Sequence, residues 1–297
     1  MKMSKKYTAD EYISMINNSL MAYLSSEPSG AGETKMLEAM RYSVENGGKR
    51  IRPMLTIEFC RMCGGSVEAA LPLACAIEFI HTYSLIHDDL PCMDNDDMRR
   101  GKPSSHIKFG EANALLAGDS LLTFAFQTAG EEKDIPADAV AKAVSLLARA
   151  AGCAGMIAGQ VQDLENENKT VSVDDLRSVD VLKTGELIRC ACQLGCIAAG
   201  ADDKKLEAAR VYAENLGIAF QIVDDILDVT SDEATLGKPI GSDAENCKNT
   251  YVSLLGLEEA QRIAAELTDK AIDALKIFGD EAEFLISLSE KLLSRNK

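Results

Sequence analysis

Apolar residues recur at three- and four-residue spacing along almost the whole chain, and no segment alternates convincingly with period two. The first pattern is typical of amphipathic helices, whereas alternation would indicate strands. The stretch 68–87 is apolar nearly all round, and a similar stretch runs from about 206 to 228, so we expect both to be central helices of a bundle. The breaks between helices, such as the polar stretch 163–170, are short, and none resembles an interdomain linker. The sequence therefore predicts an all-α fold of ten or so helices, with residues 1–297 forming a single domain.

The net charge limits the partners that the chain can bind. The chain has 297 residues, with 31 Lys and Arg against 47 Asp and Glu, so its formal charge is −16. Nucleic acids and anionic membrane surfaces are bound by positive patches, so we expect neither as a partner. No segment reaches the roughly 18 uncharged apolar residues of a membrane helix, and no apolar stretch follows the basic N-terminus. We therefore expect no membrane span, no signal peptide and a cytoplasmic location.

Nine cysteines are present, most of them inside apolar runs. Their number is odd and the chain is too long to need a disulfide framework, so reduced, buried thiols are the simpler interpretation. Cys60 and Cys63 have the CxxC spacing of zinc and redox sites, but no second CxxC and no His pair completes such a site. The role of the cysteines stays open.

Two clusters of aspartates each end an apolar helical stretch. The first has the pattern DDxxxxD and the second DDxxD; their members are Asp88, Asp89 and Asp94, and Asp224, Asp225 and Asp228. Residues four apart in a helix lie about 40° from one another, so Asp224 and Asp228 share a face. Crowded carboxylates repel unless a cation lies between them, and such oxygen ligands suit Mg²⁺ bound together with substrate phosphates. A solvated acidic face is the alternative interpretation, and two matching clusters make it the weaker one.

Basic residues accompany the aspartates. In GGKRIRP (47–53) the glycines end one helix, and Pro53 suits the first turn of the next. Cations at a helix N-terminus oppose its dipole, so Lys49 and Arg52 are better explained by an anion site. His81 lies seven residues before Asp88 on about the same helix face and can point into the same cavity, a satisfied core histidine being the alternative. Further cations are Arg99, Arg100, Lys183 and Lys238.

Acidic clusters, basic groups and an apolar interior together predict a substrate with a polyphosphate head and a hydrocarbon tail. Metal ions and local Lys and Arg would overcome the negative field of the protein. The nucleotide-binding pattern GxxxxGK[ST] is absent, and so is GxGxxG after a strand.

Seven motifs run nearly end to end along the chain: GGKRIRP (47–53), IHTYSLIHDDLPCMDNDDMRRGKPSSH (80–106), GQ (159–160), KTGELI (183–188), FQIVDDILD (220–228), LGK (236–238) and KNTY (248–251). In order and spacing they resemble the motifs of the trans-isoprenyl diphosphate synthases, most closely the bacterial farnesyl diphosphate synthases. The resemblance implies an all-α bundle of the isoprenoid-synthase type around a deep central cavity. It also implies one polyprenyl synthetase domain, a homodimer and about three Mg²⁺ per active site.

The resemblance also implies roles for individual residues. The main Mg²⁺ ligands would be Asp88, Asp94 and Asp224, assisted by Asp89, Asp225 and Asp228. The allylic diphosphate would be held by Arg99, Lys183 and Lys238, and isopentenyl diphosphate by Lys49, Arg52, His81 and Arg100, with Lys248 as a further diphosphate contact. Thr184 and Gln221 would line the space beside the developing cation.

The implied reaction is ionisation of the allylic diphosphate, condensation with isopentenyl diphosphate and elimination of a proton. Ser231–Asn249 would act as a lid that excludes water. Tyr83 and Ser84, five and four residues before Asp88, are the candidates that limit chain length. The aromatic Tyr83 resembles farnesyl-type enzymes and indicates a C15 product, with a geranylgeranyl (C20) product as the alternative. Helix geometry alone does not support this role, and Tyr83 could be an ordinary packed core residue.

Three other classes of protein are weaker alternatives. A terpene cyclase would show an Asn/Ser/Glu metal motif in place of the second Asp cluster. A di-iron helical protein would need a second copy of the ExxH motif formed by Glu78 and His81. A non-catalytic regulatory subunit would have lost one Asp cluster, and this chain keeps both.

Overall fold

The computed structural model describes residues 5–167, 169–230 and 249–294. The α-helices, numbered in chain order, are α1 Ala9–Tyr23, α2 Ala31–Glu45, α3 Ile51–Met62, α4 Val67–Asp88, α5 Ser105–Phe109, α6 Glu111–Gly130, α7 Ala137–Ala151, α8 Met156–Asn166, α9 Val173–Asp180, α10 Glu186–Ala198, α11 Asp203–Thr230, α12 Tyr251–Leu255, α13 Leu257–Ala274 and α14 Glu283–Leu293. A π-helical turn, Val181–Gly185, joins α9 to α10, and a 3₁₀ helix, Leu275–Ala282, joins α13 to α14. The all-α prediction is confirmed.

The two predicted central helices are present as α4 and α11. Most residues of α4 are buried, because it packs against α3, α6 and α10 on different sides. Helix α11 packs against α10 and α13, and α10 contacts both α4 and α11. Gly195 on α10 allows its close approach to α3, since a Cβ atom there would overlap the carbonyl oxygen of Thr56.

The described residues contain more helices than the ten or so predicted. Short helices are split from long ones at Gly110, between α5 and α6, and at Gly256, between α12 and α13. Both glycines have φ +84°, which breaks the helix without breaking the apolar periodicity. The break expected at 163–170 also starts later than predicted, because α8 continues to Asn166. The expected lid, Ser231–Asn249, lies outside the described residues except for Asn249.

One short antiparallel ribbon interrupts the helices. Its strands are β1 Met98–Arg99 and β2 Lys102–Pro103, and they are joined by Arg100 (φ +52°) and Gly101 (φ +76°). Positive φ at both loop residues is the geometry of a type I′ hairpin turn. The sequence pattern did not predict this ribbon, because two residues are too few to show alternation.

Two stretches, 67–88 and 137–166, are apolar and long enough to cross a membrane by length and mean hydropathy. In α4, 72% of the most apolar window is buried inside the protein, as is usual for a core helix, and in the second stretch 33% is buried. Glu78 interrupts the first stretch and Arg149 the second, so neither contains the roughly 18 consecutive uncharged apolar residues of a membrane helix. Two such helices are weak support for a membrane span.

Candidate active site

The first Asp cluster forms where α4 ends. Asp88 is the last helical residue, and the chain then folds back so that the amide of Asp94 donates to the carbonyl of Asp88 at 2.8 Å. The pKa of Asp88 is raised to about 6, mainly by burial; Lys183 and Arg99 oppose the shift, whereas Asp94 and Asp89 add to it. A divalent cation beside Asp88 would relieve the same repulsion, so the donor chemistry fits Mg²⁺.

Asp89, the residue that caps α4, is already bound to a cation. Its Oδ1 atom accepts from Nε of Arg99 at 2.8 Å and also from Nη2 of the same side chain. Only 3% of Asp89 is exposed, and burial raises its pKa while Arg99 opposes the shift. The β1–β2 ribbon carries Arg99 to this position. The structure therefore pairs two predicted site residues, Asp89 and Arg99, with each other. Their roles in binding metal and diphosphate stay predictions.

Lys183 lies in the π-helical turn and also has an acidic partner. Its Nζ atom is 2.6 Å from Oδ2 of Asp163 on α8, and Asp88 and Asp94 further raise its pKa against the effect of burial. Gly159, one turn before Asp163, makes this approach possible, since a Cβ atom there would overlap the backbone of Lys183. The π turn therefore aims Lys183 at the first Asp cluster, in keeping with the frequent occurrence of π bulges at functional sites.

The same turn contacts the helix that carries the second Asp cluster. Gly217 on α11 meets Gly185, where an added Cβ would lie 3.2 Å from the Cα atom of Gly185. Gln221 follows one turn later on α11, and both it and Thr184 are half-buried. The structure thus brings Thr184 and Gln221 to adjoining elements, and their lining of one space stays a prediction.

Within the second cluster, Asp228 is buried, whereas Asp224 and Asp225 are half-buried. Oδ2 of Asp225 accepts from the backbone amide of Tyr251 at 2.7 Å, so this carboxylate anchors the start of α12. Asp180, at the end of α9, is buried near the side chain of Tyr251, and burial raises its pKa to about 7. The cluster is therefore connected to the π turn through Tyr251.

Three arginines, which we call the arginine cluster, lie near His81: Arg52, Arg100 and Arg50. Arg99, which is paired with Asp89, adds a smaller effect at His81. Burial and these neighbours hold the pKa of His81 well below its ordinary value, so the imidazole is neutral. Nη1 of Arg100 donates to the carbonyl of Gly47, and a Cβ atom on Gly48 would lie 2.6 Å from the same Nη1. The glycine pair therefore serves to seat the Arg100 guanidinium beside the predicted anion site.

Two arginines of the arginine cluster differ in function. Arg50, at φ +50°, is buried and donates to Oε1 of Glu78 at 2.6 Å and to the carbonyl of Val44 at 2.6 Å, so it anchors the turn before α3. The Nε atom of Arg52 is buried and has no hydrogen-bond partner among the described residues. Burial lowers the pKa of Arg52, Arg100 lowers it further, and Glu78 opposes both. Arg52 therefore has donor capacity for an anion.

The remaining predicted residues are placed as follows. Lys49 is exposed at the turn before α3, and Lys238 and Lys248 lie outside the described residues. Tyr83 is buried on α4, its ring 5.6 Å from that of His87, and burial and then Asp88 raise its pKa to about 12. The hydroxyl of Ser84 donates to the carbonyl of His81 at 3.0 Å. The roles of Tyr83 and Ser84 in chain length stay predictions.

Sequence reasoning missed Asp163, Asp180 and Tyr251. Asp163 opens the polar stretch 163–170, which reads as a break, although it lies one helical turn after Gly159 of the GQ motif, a spacing that puts both on one face. Tyr251 belongs to the KNTY motif, of which only the lysine was singled out. Asp180 has no sequence signal, because its importance comes from burial against Tyr251.

The geometry of a metal site is not preformed in the described residues. In residues 5–167, 169–230 and 249–294, no group of three or more His, Cys, Asp or Glu is arranged around one point. The di-iron alternative is not supported, because Glu78 is buried in its ion pair with Arg50. The Asp clusters offer only hard oxygen donors, which is the ligand set of Mg²⁺ completed by substrate phosphates.

A helical bundle with two Asp clusters and two groups of cations is typical of a class of enzymes whose substrates are diphosphates. The sequence profile named Polyprenyl synthetase matches residues 33–282. The chain is 50% identical over 232 residues to a farnesyl diphosphate synthase of Geobacillus stearothermophilus, covering 77% of this chain and 78% of the relative. It is 44% identical over 265 residues to a geranylgeranyl diphosphate synthase of Cyanophora paradoxa, covering 89% and 88%.

A solved structure is similar to this chain over nearly its whole length. The apo structure of an FPP/GFPP synthase from Zymomonas mobilis has a TM-score of 0.86 and 38% identity, covering 96% of this chain and 97% of that chain. The chain belongs to the polyprenyl synthetase family. It is an enzyme with trans-prenyl diphosphate synthase activity, and the substrates of this family are isopentenyl diphosphate and allylic diphosphates.

Proposed function

We propose that the protein condenses isopentenyl diphosphate with dimethylallyl and then geranyl diphosphate, giving farnesyl diphosphate (C15) and releasing diphosphate. The observation that carries the proposal is the presence of two separate groups of cations. The arginine cluster beside the turn before α3 suits one diphosphate, and Arg99 with Lys183 near the first Asp cluster suits the other.

In this proposal each cation group acts on one substrate. Lys183, Arg99 and Lys238 bind the allylic diphosphate and stabilise the charge that grows on it as the C–O bond breaks. Arg52, Arg100, Lys49 and neutral His81 hold isopentenyl diphosphate, so that its double bond faces the allylic carbon. Lys248 adds a contact to a diphosphate. After condensation the departing diphosphate accepts the proton, which agrees with the absence of an obvious base among the site residues that the structure describes.

The proposed Mg²⁺ site uses Asp88, Asp94 and Asp224, with Asp89, Asp225 and Asp228 assisting. About three Mg²⁺, when bound, would neutralise charge on the leaving diphosphate. The raised pKa of Asp88 supports this assignment, because a buried carboxylate next to Asp94 is stabilised by a nearby cation. Thr184 and Gln221 complete the space beside the allylic cation with uncharged polar groups.

The C15 product is proposed from Tyr83, which is buried on α4 one turn before His87. A large ring under the first Asp cluster would stop a growing chain. A geranylgeranyl (C20) product is the second candidate, because a relative that is 44% identical is named a geranylgeranyl diphosphate synthase.

We further infer a single polyprenyl synthetase domain over residues 1–297, a homodimer and a cytoplasmic location. Exposed apolar side chains on α5 and α6, namely Ile107, Leu115 and Leu116, support the homodimer. Sedimentation of the full chain tests it, since a monomer mass at micromolar concentration would contradict it.

The function is tested by an assay with labelled isopentenyl diphosphate and, separately, dimethylallyl, geranyl and farnesyl diphosphate, with and without Mg²⁺. We expect a C15 product from the first two primers, refusal of farnesyl diphosphate and no product without a divalent cation. Tyr83→Ala should lengthen the product, and an unchanged product would remove Tyr83 as the limiting residue. A C20 product from the wild type would support the second candidate. No incorporation with any primer would instead favour a regulatory subunit.

A further inference from the structure

Two cysteines that are far apart in sequence meet at one end of the α3–α10 pair. Cys63 caps the C-terminus of α3, and Cys196 lies in the last turn of α10. Their Sγ atoms are 3.8 Å apart, within hydrogen-bond distance for sulfur. In the sequence Cys63 stands out only as part of a CxxC motif, and the proposed function gives neither thiol a role.

The packing around this contact keeps the two thiols together. Gly65, after α3, lies against Cys60 and Ala199, since an added Cβ would be 2.5 Å from Sγ of Cys60 and 2.8 Å from Cβ of Ala199. The turn that follows Cys63 is therefore pressed onto the end of α10. Gly64, at φ +90°, leaves the turn free of side-chain bulk next to Cys63. A disulfide needs the sulfurs to close to about 2.05 Å, which side-chain rotation and a small shift at a helix end can supply.

The two thiols are also chemically different. The hydrogen bond between the two thiols lowers the pKa of Cys63, with burial opposing the shift and Lys205 adding to it. The same hydrogen bond and burial raise the pKa of Cys196. Cys63 is half-buried and Cys196 fully buried, so an oxidant reaches Cys63 first. Oxidants attack a thiol that is both accessible and partly ionised to the thiolate. A neighbouring thiol can then form a disulfide with the oxidised sulfur.

We propose that Cys63 and Cys196 form a redox modification site, which a hydroperoxide converts to a reversible intrachain disulfide that fits the native packing. The Cys63 thiolate attacks the outer oxygen of the hydroperoxide, the O–O bond breaks, and Cys63 becomes a sulfenic acid while an alcohol or water leaves. Cys196 sulfur then attacks the sulfenic sulfur, and hydroxide leaves and takes up the thiol proton. In total two thiols and one hydroperoxide give one disulfide, one alcohol and one water.

The other half of the CxxC motif is a poor partner. Burial raises the pKa of Cys60 to about 12, and its thiol donates to the carbonyl of Ser66 at 3.3 Å. Cys153 offers a matched comparison, because it is exposed on the turn between α7 and α8. It can be oxidised by the same reagent, but its chemistry should end at sulfenic or sulfinic acid.

The test treats the reduced full chain with hydrogen peroxide, blocks free thiols with an alkylating reagent and measures the intact mass and the linked peptides. We expect one disulfide, which thiols reverse, and a thermal midpoint raised by roughly 5 °C in the oxidised protein. Cys63 shares a tryptic peptide with Cys75 and Cys92, so fragmentation spectra and variants must assign the bond.

Cys63→Ser and Cys196→Ser should each abolish the linkage and the rise of the midpoint, whereas Cys60→Ser and Cys153→Ser should keep both. Cys63→Ser changes a half-buried helix end, so it provides the test even if Cys196→Ser fails to fold. The proposal would be overturned if wild-type protein whose Cys153 is fully oxidised contained no linked peptide. A bond between Cys60 and Cys63, or an oxidised protein whose midpoint is unchanged or lower, would also overturn it.

Discussion

The two groups of cations at the candidate site are built in opposite ways. Arg99 and Lys183 are each held by a carboxylate, Asp89 and Asp163, and their pKa values are raised. In the arginine cluster Arg50 is paired with Glu78, but Arg52 and Arg100 place like charges beside His81. Burial and neighbouring cations lower the pKa values of Arg52 and Arg100, with only Glu78 opposing at Arg52.

The difference indicates how each group would respond to a diphosphate. A cation that already has a carboxylate partner can exchange it for phosphate oxygens as negative charge grows, which suits the bond-breaking step. Buried cations that repel one another gain most from any anion that arrives, which suits ground-state binding. We therefore expect Arg99 and Lys183 to govern kcat and Arg52 and Arg100 to govern KM.

The strongest test is Lys183→Ala, which removes the cation aimed at Asp88 and Asp94. We expect kcat with dimethylallyl diphosphate to fall about 10³-fold, because stabilisation of the leaving group is lost and the carboxylates are left uncompensated. Lys142→Ala is the matched control, since Lys142 pairs with Asp138 at 3.3 Å on the surface. Equal losses in the two variants, or a change in KM alone, would contradict the assignment.

Arg52→Ala tests the arginine cluster. We expect the KM for isopentenyl diphosphate to rise about 30-fold, as for the loss of a charge-assisted hydrogen bond, while the allylic KM changes little. Arg262→Ala, at an exposed arginine paired with Glu259 and Glu266, should leave both KM values unchanged. If Arg52→Ala raised both KM values alike, the two cation groups would not be separate sites.

Asp163→Asn should have a smaller effect, because it leaves Lys183 in place but removes the carboxylate that orients it. We expect kcat to fall about 5-fold with KM nearly constant, since a half-exposed pair contributes modestly. Asp163→Glu should restore part of kcat, and Asp138→Asn on the surface should have no effect. A loss as large as that of Lys183→Ala would mean that Asp163 acts directly on substrate or metal.

The smallest effect concerns the pH dependence of folding at His81. Its pKa is depressed in the folded state, so the unfolded state binds a proton near pH 6.5 that the folded state does not. Stability from His81 is therefore complete above pH 6.5 and is lost as the pH falls below it. Between pH 7.5 and 5.5, the wild type should lose about 1 kcal/mol more unfolding free energy than His81→Gln. If denaturant titrations gave the same pH dependence of the unfolding free energy for the wild type and His81→Gln, His81 would not be desolvated among cations.

Much of the site could be predicted from local patterns. The DDxxxxD and DDxxD clusters, the apolar stretches before them and the GGKRIRP turn are all contiguous segments, and the helices α3, α4 and α11 form where these patterns place them. What could not be predicted are the partners across the fold. Arg100 meets Gly47 from 53 residues away, and Lys183 meets Asp163 from 20 residues away.

The amino-acid sequence by itself determined that this protein is helical and that it belongs among enzymes whose substrates are diphosphates. It also determined which segments carry the charged residues. It could do so because helical periodicity and short motifs depend on neighbouring residues alone. Only the tertiary structure decided which of those charges are compensated. A type I′ turn directs Arg100 to the glycines before α3, a glycine on α8 lets Lys183 approach Asp163, and burial sets the pKa values of Asp88 and His81. Desolvation and ion pairing arise between segments distant in sequence, so no local pattern contains them.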